Sequence, residues 1–578
     1  MRISQVNIEG YRNFKKCKIN FEDKTLIIGA NEVGKSNLLY ALRLLLDRNL
    51  SEFDLEPQDS DFHAHSEANE IRITIKFEDV KESCVLAKLK ENVSDSSQLF
   101  LQYYASRDSQ TGTRKYSLLA GSEENKLEEI QGRFYLKVLN IRFIGSNREL
   151  YSYIRKEKEF LLQEAKERRT EVEISEDNTK FSKIKTDLSS INKEIGNLAF
   201  IKGATKSLNK ELSDLSIQNE NNEIIFDAGS ADPSRFVENI HLARNVDGKL
   251  LDIGGDGRNN QIFLALWAAK NEIREDNPSE VAIYCIEEPE AHLHPHQQRK
   301  LSEYLTRKLK GQVILTSHSP QIAAEFSPNW LVRLHETNLE TKAASEGCSK
   351  IIEDSLINFG YRLNILPAES FFAKFVFLVE GPSEILFYRA LAKQIGLDLD
   401  KHNISILSVN GVDFETYIKM LNALEIPWTL RTDNDIYNYK DGKKKFKAGL
   451  SRAIKIYKTY IKDPETYESF LEAEKHIEEP DEKVSKENII KITEILRKNG
   501  IFLSEIDLEH DLLNSQLKES LQLFFSNKNE DDLINLMQKK KAVFMYEFLF
   551  EKSESLKLIK DDKITYPLIY CEKSSGQK

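Results

Sequence analysis

The sequence predicts an α/β protein made of two successive strand–turn–helix units, the first interrupted by a long helical insertion. Three observations carry this. Residues 25–28 form an apolar run that ends in a glycine-rich turn, 29–34, before a helix starting near Ser36. Residues 375–379 repeat the arrangement, ending in Glu380-Gly381-Pro382 before a helix that runs through Leu391. Between the two, from about Leu150 to Leu215, the composition turns charged and helical. Strands alternating with helices indicate parallel sheets covered by helices.

With 578 residues, 40% hydrophobic and 30% charged, the chain can bury several cores and is not of disordered composition. Its net charge of −11 would not steer it toward a polyanion, so any DNA contact must come from local basic patches and bound cations. Cys17, Cys84, Cys285, Cys348 and Cys571 are scattered without a CxxC pair, which fits a reducing compartment and argues against a zinc site or disulfide frame. The longest strongly apolar stretch, 375–379, is far too short to span a bilayer. A soluble, cytoplasmic protein with no membrane partner is expected.

Four segments follow in order. Residues 1–150 read as β-rich with one clear helix, 36–46, and 71–77 alternates apolar and polar residues as a strand does. Residues 151–220 are the helical insertion. There Phe181, Ile184, Leu188, Ile191, Ile195 and Leu198 recur at 3,4,3,4,3 spacing, either a helix packed on its own domain or a dimerisation arm. Residues 221–365 return to α/β structure. A junction at 363–372 leads into the second unit, 366–578, which carries a lysine-rich helical insertion at 437–484.

Gly29-Ala-Asn31-Glu-Val-Gly34-Lys35-Ser36 fits GxxxxGK[ST] between a strand and a helix. The glycines let backbone N–H groups wrap phosphate oxygens, and the helix N-terminus adds its positive dipole end. Lys35 would reach the β- and γ-phosphates and Ser36 would hold Mg²⁺, with Asn31 and Asn37 beside them. Residues 281–286 form a second apolar strand ending in Glu287-Glu288-Pro289-Glu290. Glu287 would join the Mg²⁺ shell and Glu288 would polarise the attacking water. A third strand, 313–315, ends near His318, placed to contact a γ-phosphate. Between the first two motifs lies Gly254-Gly255-Asp256-Gly257-Arg258, before a helix at 260–273. It resembles a degenerate ABC signature with Gly254 where serine is usual, so Asp256 and Gly257 would close over the nucleotide of a partner subunit. The order of the four motifs is that of an ABC-type ATPase. His292, His294 and His296 match no zinc-ligand spacing and read as part of the stretch after the acidic strand end.

In the second unit Glu380 sits at a strand tip and Glu384 one helical turn on. Trp428-Thr-Leu-Arg-Thr-Asp433-Asn434-Asp435 would, if extended, project both aspartates to one side. Asp507, Glu509 and Asp511 form a third acidic group. Oxygen-only sets of this kind suit Mg²⁺ or Mn²⁺, and two such ions can activate water and stabilise the leaving oxygen of a phosphodiester. A strand-end EG followed by a strand-end DxD is the Toprim signature, a Rossmann-like nuclease fold. Lys541, in the run 538–541, could neutralise transition-state charge. Lys443, Lys444, Lys445 and Lys447 could contact a DNA backbone or form a solvated loop.

An ABC-type ATPase followed by a Toprim domain resembles the OLD (overcoming lysogenisation defect) family of nucleases. Ile8-Glu-Gly-Tyr-Arg-Asn-Phe14 is similar to its opening strand, and Phe371-Phe372-Ala373 leading into residues 378–384 is similar to its domain junction. Within the family, Asp61-Phe62-His63, Ile506-Asp507-Leu508-Glu509 and residues 538–541 look most like the nuclease subunit of Gabija-type anti-phage defence. The resemblance implies that Glu380, Glu384, Asp433, Asp435, Glu509 and Asp511 are metal ligands or bases and Lys541 the catalytic lysine. It leaves open which of Asp507, Glu509 and Asp511 bind metal. It also implies double-stranded DNA as substrate, a homo-oligomer (dimer or tetramer), a UvrD-like helicase partner, and ATP acting as regulator rather than fuel. The expected function is an ATP-regulated, Mg²⁺/Mn²⁺-dependent DNA endonuclease of phage defence. A RecF/SMC-like DNA clamp with a structural Toprim domain is the alternative, and the set Glu380, Asp433, Asp435 and Lys541 argues against it.

Overall fold

The computed structural model describes residues 1–576 except 109, 146–149, 216–223, 226–241, 248, 252–261, 263–264, 267–279, 292, 358–364, 412, 439–444, 478–481 and 526–528. The chain forms two compact units, one made of Met1–Ser146, Pro278–Glu290 and Pro295–Lys578, the other of Asn147–Asn277 and Ala291–His294.

The larger unit starts with an antiparallel sheet in the order β2-β1-β4-β5-β6-β7. Its strands are β1 (Arg2–Tyr11), β2 (Phe14–Asn20), β4 (Glu70–Glu78), β5 (Leu99–Arg107), β6 (Arg114–Glu123) and β7 (Lys126–Glu129). In β4, Ile71, Ile73, Ile75 and Phe77 are fully buried, which is the period-2 face read from the sequence. The second sheet runs β14-β13-β3-β12-β11-β8. Here β3 is Lys24–Ile28, β8 Leu139–Ile144, β11 Val281–Glu287, β12 Val313–Thr316, β13 Leu331–Thr337 and β14 Glu340–Ala343. All neighbours pair in parallel except β14 on β13. All five residues of β3 are buried, as expected of a parallel strand covered on both faces. The helix Lys35–Leu46 packs Leu38, Leu39, Leu42 and Leu45 into the core shared by the two sheets. A further short helix in the N-terminal segment, Ser83–Leu89, was not expected; it buries only Val85 and Leu89, too few residues to show a period.

The third sheet, β16-β15-β17-β20, is wholly parallel. Its strands are β15 (Phe375–Val379), β16 (Ile404–Ser408), β17 (Trp428–Thr432) and β20 (Ile501–Leu503). After β15 the helix Pro382–Ile395 begins with proline in its first turn and stops at Gly396, whose φ of +84° suits the left-handed cap. The expected insertion contains a hairpin of β18 (Ile436–Asn438) and β19 (Lys445–Lys447), then helices Ala448–Ile456 and Tyr467–Lys475. Lys443 and Lys444 lie outside the described residues.

In the smaller unit the helices Leu150–Glu167, Glu171–Gly196 and Ala199–Leu215 precede a short hairpin of β9 (Arg244–Val246) and β10 (Lys249–Leu251). Thr170 caps the middle helix in a reciprocal box with Glu173. Along the 3,4 seam Leu188 is buried, whereas Ile184, Ile191 and Leu198 are exposed. The signature segment with Gly254, Asp256 and Gly257, nearly all of the 260–273 stretch, and His292 fall outside the described residues.

All five cysteines are free; Cys17, Cys285, Cys348 and Cys571 are buried and Cys84 is half-buried. Among the described residues no helix is long and apolar enough to cross a membrane.

Candidate functional site

Two carboxylate-bearing sheet edges stand out. At the first, β12 lies between β3 and β11, so the glycine turn, His318 and Glu287–Glu288 all leave the sheet at the carboxyl ends of adjacent parallel strands. That is where open α/β sheets bind ligands. Gly29 has φ +151° and a Cβ there would meet the Leu334 carbonyl oxygen at 2.5 Å. Gly34 caps the helix at φ +100°, against the Asn13 side chain. Only glycine fits both positions. Lys35 is buried and donates to the carbonyls of Gly29 (3.0 Å) and Ala30 (2.7 Å). Burial pushes its ammonium down to about 8, against the pull of Glu288, Glu290 and Glu287.

Ser36 Oγ donates to Glu287, the pair expected to share a cation. Glu288 has φ +44° and its carboxylate is 3.3 Å from His318 Nε2. Burial and Lys35 lower the His318 pKa, opposed by Glu288. Glu290, unassigned from sequence, holds this turn in place by accepting from Ser317 Oγ and the His318 N–H, both at 2.7 Å. Asn37 bonds Asn13 (2.7 Å) and Arg12 (2.9 Å), while Asn31 is exposed in the turn. Asn13, Val33 and Asn37 border a 1160 Å³ cavity also lined by Arg12, His63, Arg107 and Thr341; Lys35, Ser36, Glu287, Glu288 and His318 do not line it. His296 contacts Arg299, and no three His, Cys, Asp or Glu side chains among the described residues are grouped as metal ligands.

The second edge belongs to the third sheet. Glu380 follows β15, Asp433 follows β17 and Ser504 follows β20, so three parallel strands deliver them side by side. Glu380 accepts from Thr432 Oγ1 (2.6 Å), the Asp433 N–H (2.9 Å) and Arg452 (3.0 Å). Burial and the Asp433 charge raise its pKa despite these donors. Glu384, buried one turn into the helix, accepts from Ser383 Oγ at 2.8 Å. Asp433 accepts from Ser504 Oγ at 3.0 Å. β17 ends at Thr432 and Asp435 has φ +43°, so the two aspartates are not on one extended strand as expected; the chain turns between them. Asp435 is tied to Arg452 at 3.1 Å.

The third acidic group divides by role. Asp507 caps the helix Leu508–Leu513, bonding the His510 N–H (2.9 Å), His510 Nδ1 (2.6 Å) and Gln538 (2.7 Å). Asp511 pairs with Arg431 at 2.8 Å and accepts the Glu505 N–H. Glu509 is buried, its Oε2 has no hydrogen-bond partner, and burial pushes its pKa up to about 7 against the Lys541 charge. Lys541 opens the helix Lys541–Lys552 and reaches toward both Glu509 and Asp433.

Positive side chains therefore lie between the carboxylates: Arg452 bridges Glu380 and Asp435, and Lys541 lies within 4 Å of Asp433 and Glu509. The donor set is oxygen-only and Glu509 Oε2 is orphaned, the chemistry that suits a hard divalent cation. With Arg452 and Lys541 between them, however, no three of these carboxylates converge as metal ligands. Sequence reasoning missed Arg431, Arg452 and Ser504. Asp511 lies 80 residues from Arg431, Glu380 72 from Arg452 and Asp433 71 from Ser504, and no local spacing marks these contacts.

Residues 1–323 match the family model described as AAA ATPase domain. Residues 371–435 match that of the overcoming lysogenization defect protein-like TOPRIM domain. The chain is 27% identical to "Endonuclease GajA" of Bacillus cereus (strain VD045) over 95% of each chain. It is 22% identical to "Old nuclease" of Escherichia phage P2, over 75% of this chain and 77% of that one. Among solved structures, the C-terminal region of the Burkholderia pseudomallei OLD protein is 20% identical, covering 36% of this chain and all of that one, with a TM-score of 0.28.

Proposed function

The chain belongs to the AAA ATPase domain family and carries an OLD-like Toprim domain after it, and from that premise we propose that it is a nucleotide-regulated, divalent-metal-dependent DNA endonuclease of anti-phage defence. The observation that carries the nuclease reading is Glu380 beside Asp433 at the carboxyl edge of one parallel sheet, with Lys541 reaching both Asp433 and Glu509.

Glu380, Asp433 and Glu509, with Glu384 and Asp435 beside them, are the residues that would hold Mg²⁺ or Mn²⁺. Such ions supply Lewis acidity toward a phosphodiester. The rest is work for the chain's own groups. Lys541 places positive charge where phosphoryl oxygens gather negative charge. Thr432 and Ser504 fix the rotamers of Glu380 and Asp433 by hydrogen bonds. Arg431, buried and paired with Asp511 (2.8 Å) and Asp433 (3.5 Å), keeps Asp511 turned inward. Asp511 is then a support for Arg431, and Asp507 a helix cap, rather than ligands.

At the other edge, Gly29–Gly34 and Lys35 would cradle the phosphates of ATP and Ser36 with Glu287 would hold its Mg²⁺. Glu288 would orient water and His318 would contact the γ-phosphate, with Asp256 and Gly257 supplied by a partner subunit. Double-stranded DNA is the proposed substrate, and a dimer or tetramer with a UvrD-like helicase the proposed assembly, on family likeness.

The test is incubation with supercoiled plasmid in Mg²⁺ or Mn²⁺, beside Glu380→Ala. Nicked or linear product from the native chain alone supports the reading. Uncut DNA with and without ATP and helicase would shift it to a DNA-binding clamp. Equal cutting by both proteins would place the active site elsewhere.

A further inference from the structure

Arg333 lies on β13, in register with Ile28, the last residue of β3 before the phosphate-binding turn. Its side chain is buried, and no carboxylate among the described residues forms an ion pair with it. Instead the guanidinium fans out over four backbone carbonyls of the Toprim domain. Nε donates to Phe371 (3.3 Å), one terminal nitrogen to Leu424 (2.9 Å) and Glu425 (3.3 Å), the other to Ala373 (3.2 Å). Phe371 and Ala373 lie just before β15, and Leu424 and Glu425 just before β17. These are the strands that carry Glu380 and Asp433 at their far ends. One side chain thus holds the entry points of both.

The same hairpin grips the phosphate turn. Thr341 on β14 donates to the Val33 carbonyl (2.8 Å), and its N–H bonds the Asn13 carbonyl (2.9 Å). The Leu334 carbonyl leaves no room for a Cβ on Gly29. Beside Arg333, His335 Nε2 is 2.9 Å from Glu425, and Glu425 accepts the Ser345 N–H at 2.9 Å. A guanidinium spread over four carbonyls is a directional contact: it tolerates little shift of either strand entry without losing a bond.

We propose that Arg333, with Glu425 at its rim, is the positioning contact through which occupation of the phosphate turn alters the spacing of Glu380 and Asp433. This rests on the nucleotide-regulated nuclease reading above. Nucleotide bound at 29–36 pushes on Val33 and Gly29, hence on the β13–β14 hairpin. The hairpin passes the shift to β15 and β17 together, because one guanidinium holds both.

The experiment uses the full chain and two variants. Arg333→Lys keeps the charge but loses the four-carbonyl fan; Glu425→Gln alters the half-exposed rim without stranding a buried charge. ATP affinity, plasmid cleavage with and without ATP, and amide exchange at 371–379 and 424–432 with and without ATP are measured, with melting curves as the folding check. In the native chain ATP is expected to change cleavage by about 5- to 150-fold, the usual range of coupling between two sites, and to change exchange in both segments. In Glu425→Gln, and in Arg333→Lys if it folds, ATP affinity and ATP-free cleavage should stay within about threefold while the ATP effect shrinks at least fivefold, well outside the scatter of an uncoupled substitution. A native chain that responds to ATP beside a folded Glu425→Gln that responds equally overturns this proposal alone. A native chain that binds ATP with no effect on cleavage or exchange overturns the regulatory reading and this proposal with it.

Discussion

Lys541 Nζ stands 3.6 Å from Glu509 Oε2, a buried carboxylate oxygen without a hydrogen-bond partner. The charge complementarity is incomplete: the lysine is within Coulombic reach but does not satisfy the oxygen, which leaves the pair open to a phosphate or a cation. Lys541→Ala should lower single-turnover nicking by roughly 10²–10³-fold, the usual effect of deleting a group that meets transition-state charge. DNA affinity should change far less. A rate within tenfold of native would remove Lys541 from the chemistry.

Glu509 makes the stability of the protein pH-dependent in a stated direction. Its folded pKa is raised from 4.5 to about 7, so the folded state holds the proton more tightly than the unfolded chain. That stabilisation is complete below the unfolded value and is lost as pH rises through about 7. In EDTA, Glu509→Gln should therefore gain on the native protein between pH 5 and pH 8, by at most about 3 kcal/mol for a shift of this size. Urea midpoints at the two pH values measure it. A gap that narrows as pH rises would contradict the burial argument.

Lys35 gives a second proton signature. Burial holds it near 8; polyphosphate would restore it toward 10.5. ATP binding at pH 9 should then take up protons, up to about one per site. Calorimetry in two buffers of different ionisation enthalpy reads the number. Proton release, or no exchange, would mean that Lys35 does not meet the phosphates.

Arg452 occupies the space between Glu380 and Asp435 with its guanidinium. A cation that binds there must compete with it. Arg452→Gln should lower the Mn²⁺ concentration for half-maximal cleavage by about fivefold, roughly 1 kcal/mol and the upper end for a partly exposed pair. An increase would show that the arginine assembles the site rather than obstructing it.

What could be read from the sequence was whatever the backbone encodes locally. The turn 29–36 and the strand tip at Glu380 were legible because apolar run, glycine and helix start follow one another within a dozen residues. β15 was read residue for residue, since all five positions are buried and apolar. Arg431 was not legible: it is a charged residue in the middle of a buried strand, and only the fold brings Asp511 to it. The projection of Asp433 and Asp435 to one side required an extended segment, and that condition is not met, because β17 stops at Thr432. Arg333 left no trace, because its partners are backbone carbonyls, which any sequence supplies.

The cysteines have a practical consequence. Burial pushes the Cys17 and Cys348 thiols up to about 12 and raises those of Cys285 and Cys571 as well, so all four resist alkylation while the fold holds. Cys84, half-buried on the short helix Ser83–Leu89, is left as the site for a maleimide dye. The unaltered chain thus accepts a single fluorophore for binding or distance measurements. The count of reactive thiols is then expected to rise from one in the folded chain to five on denaturation, which a thiol titration checks.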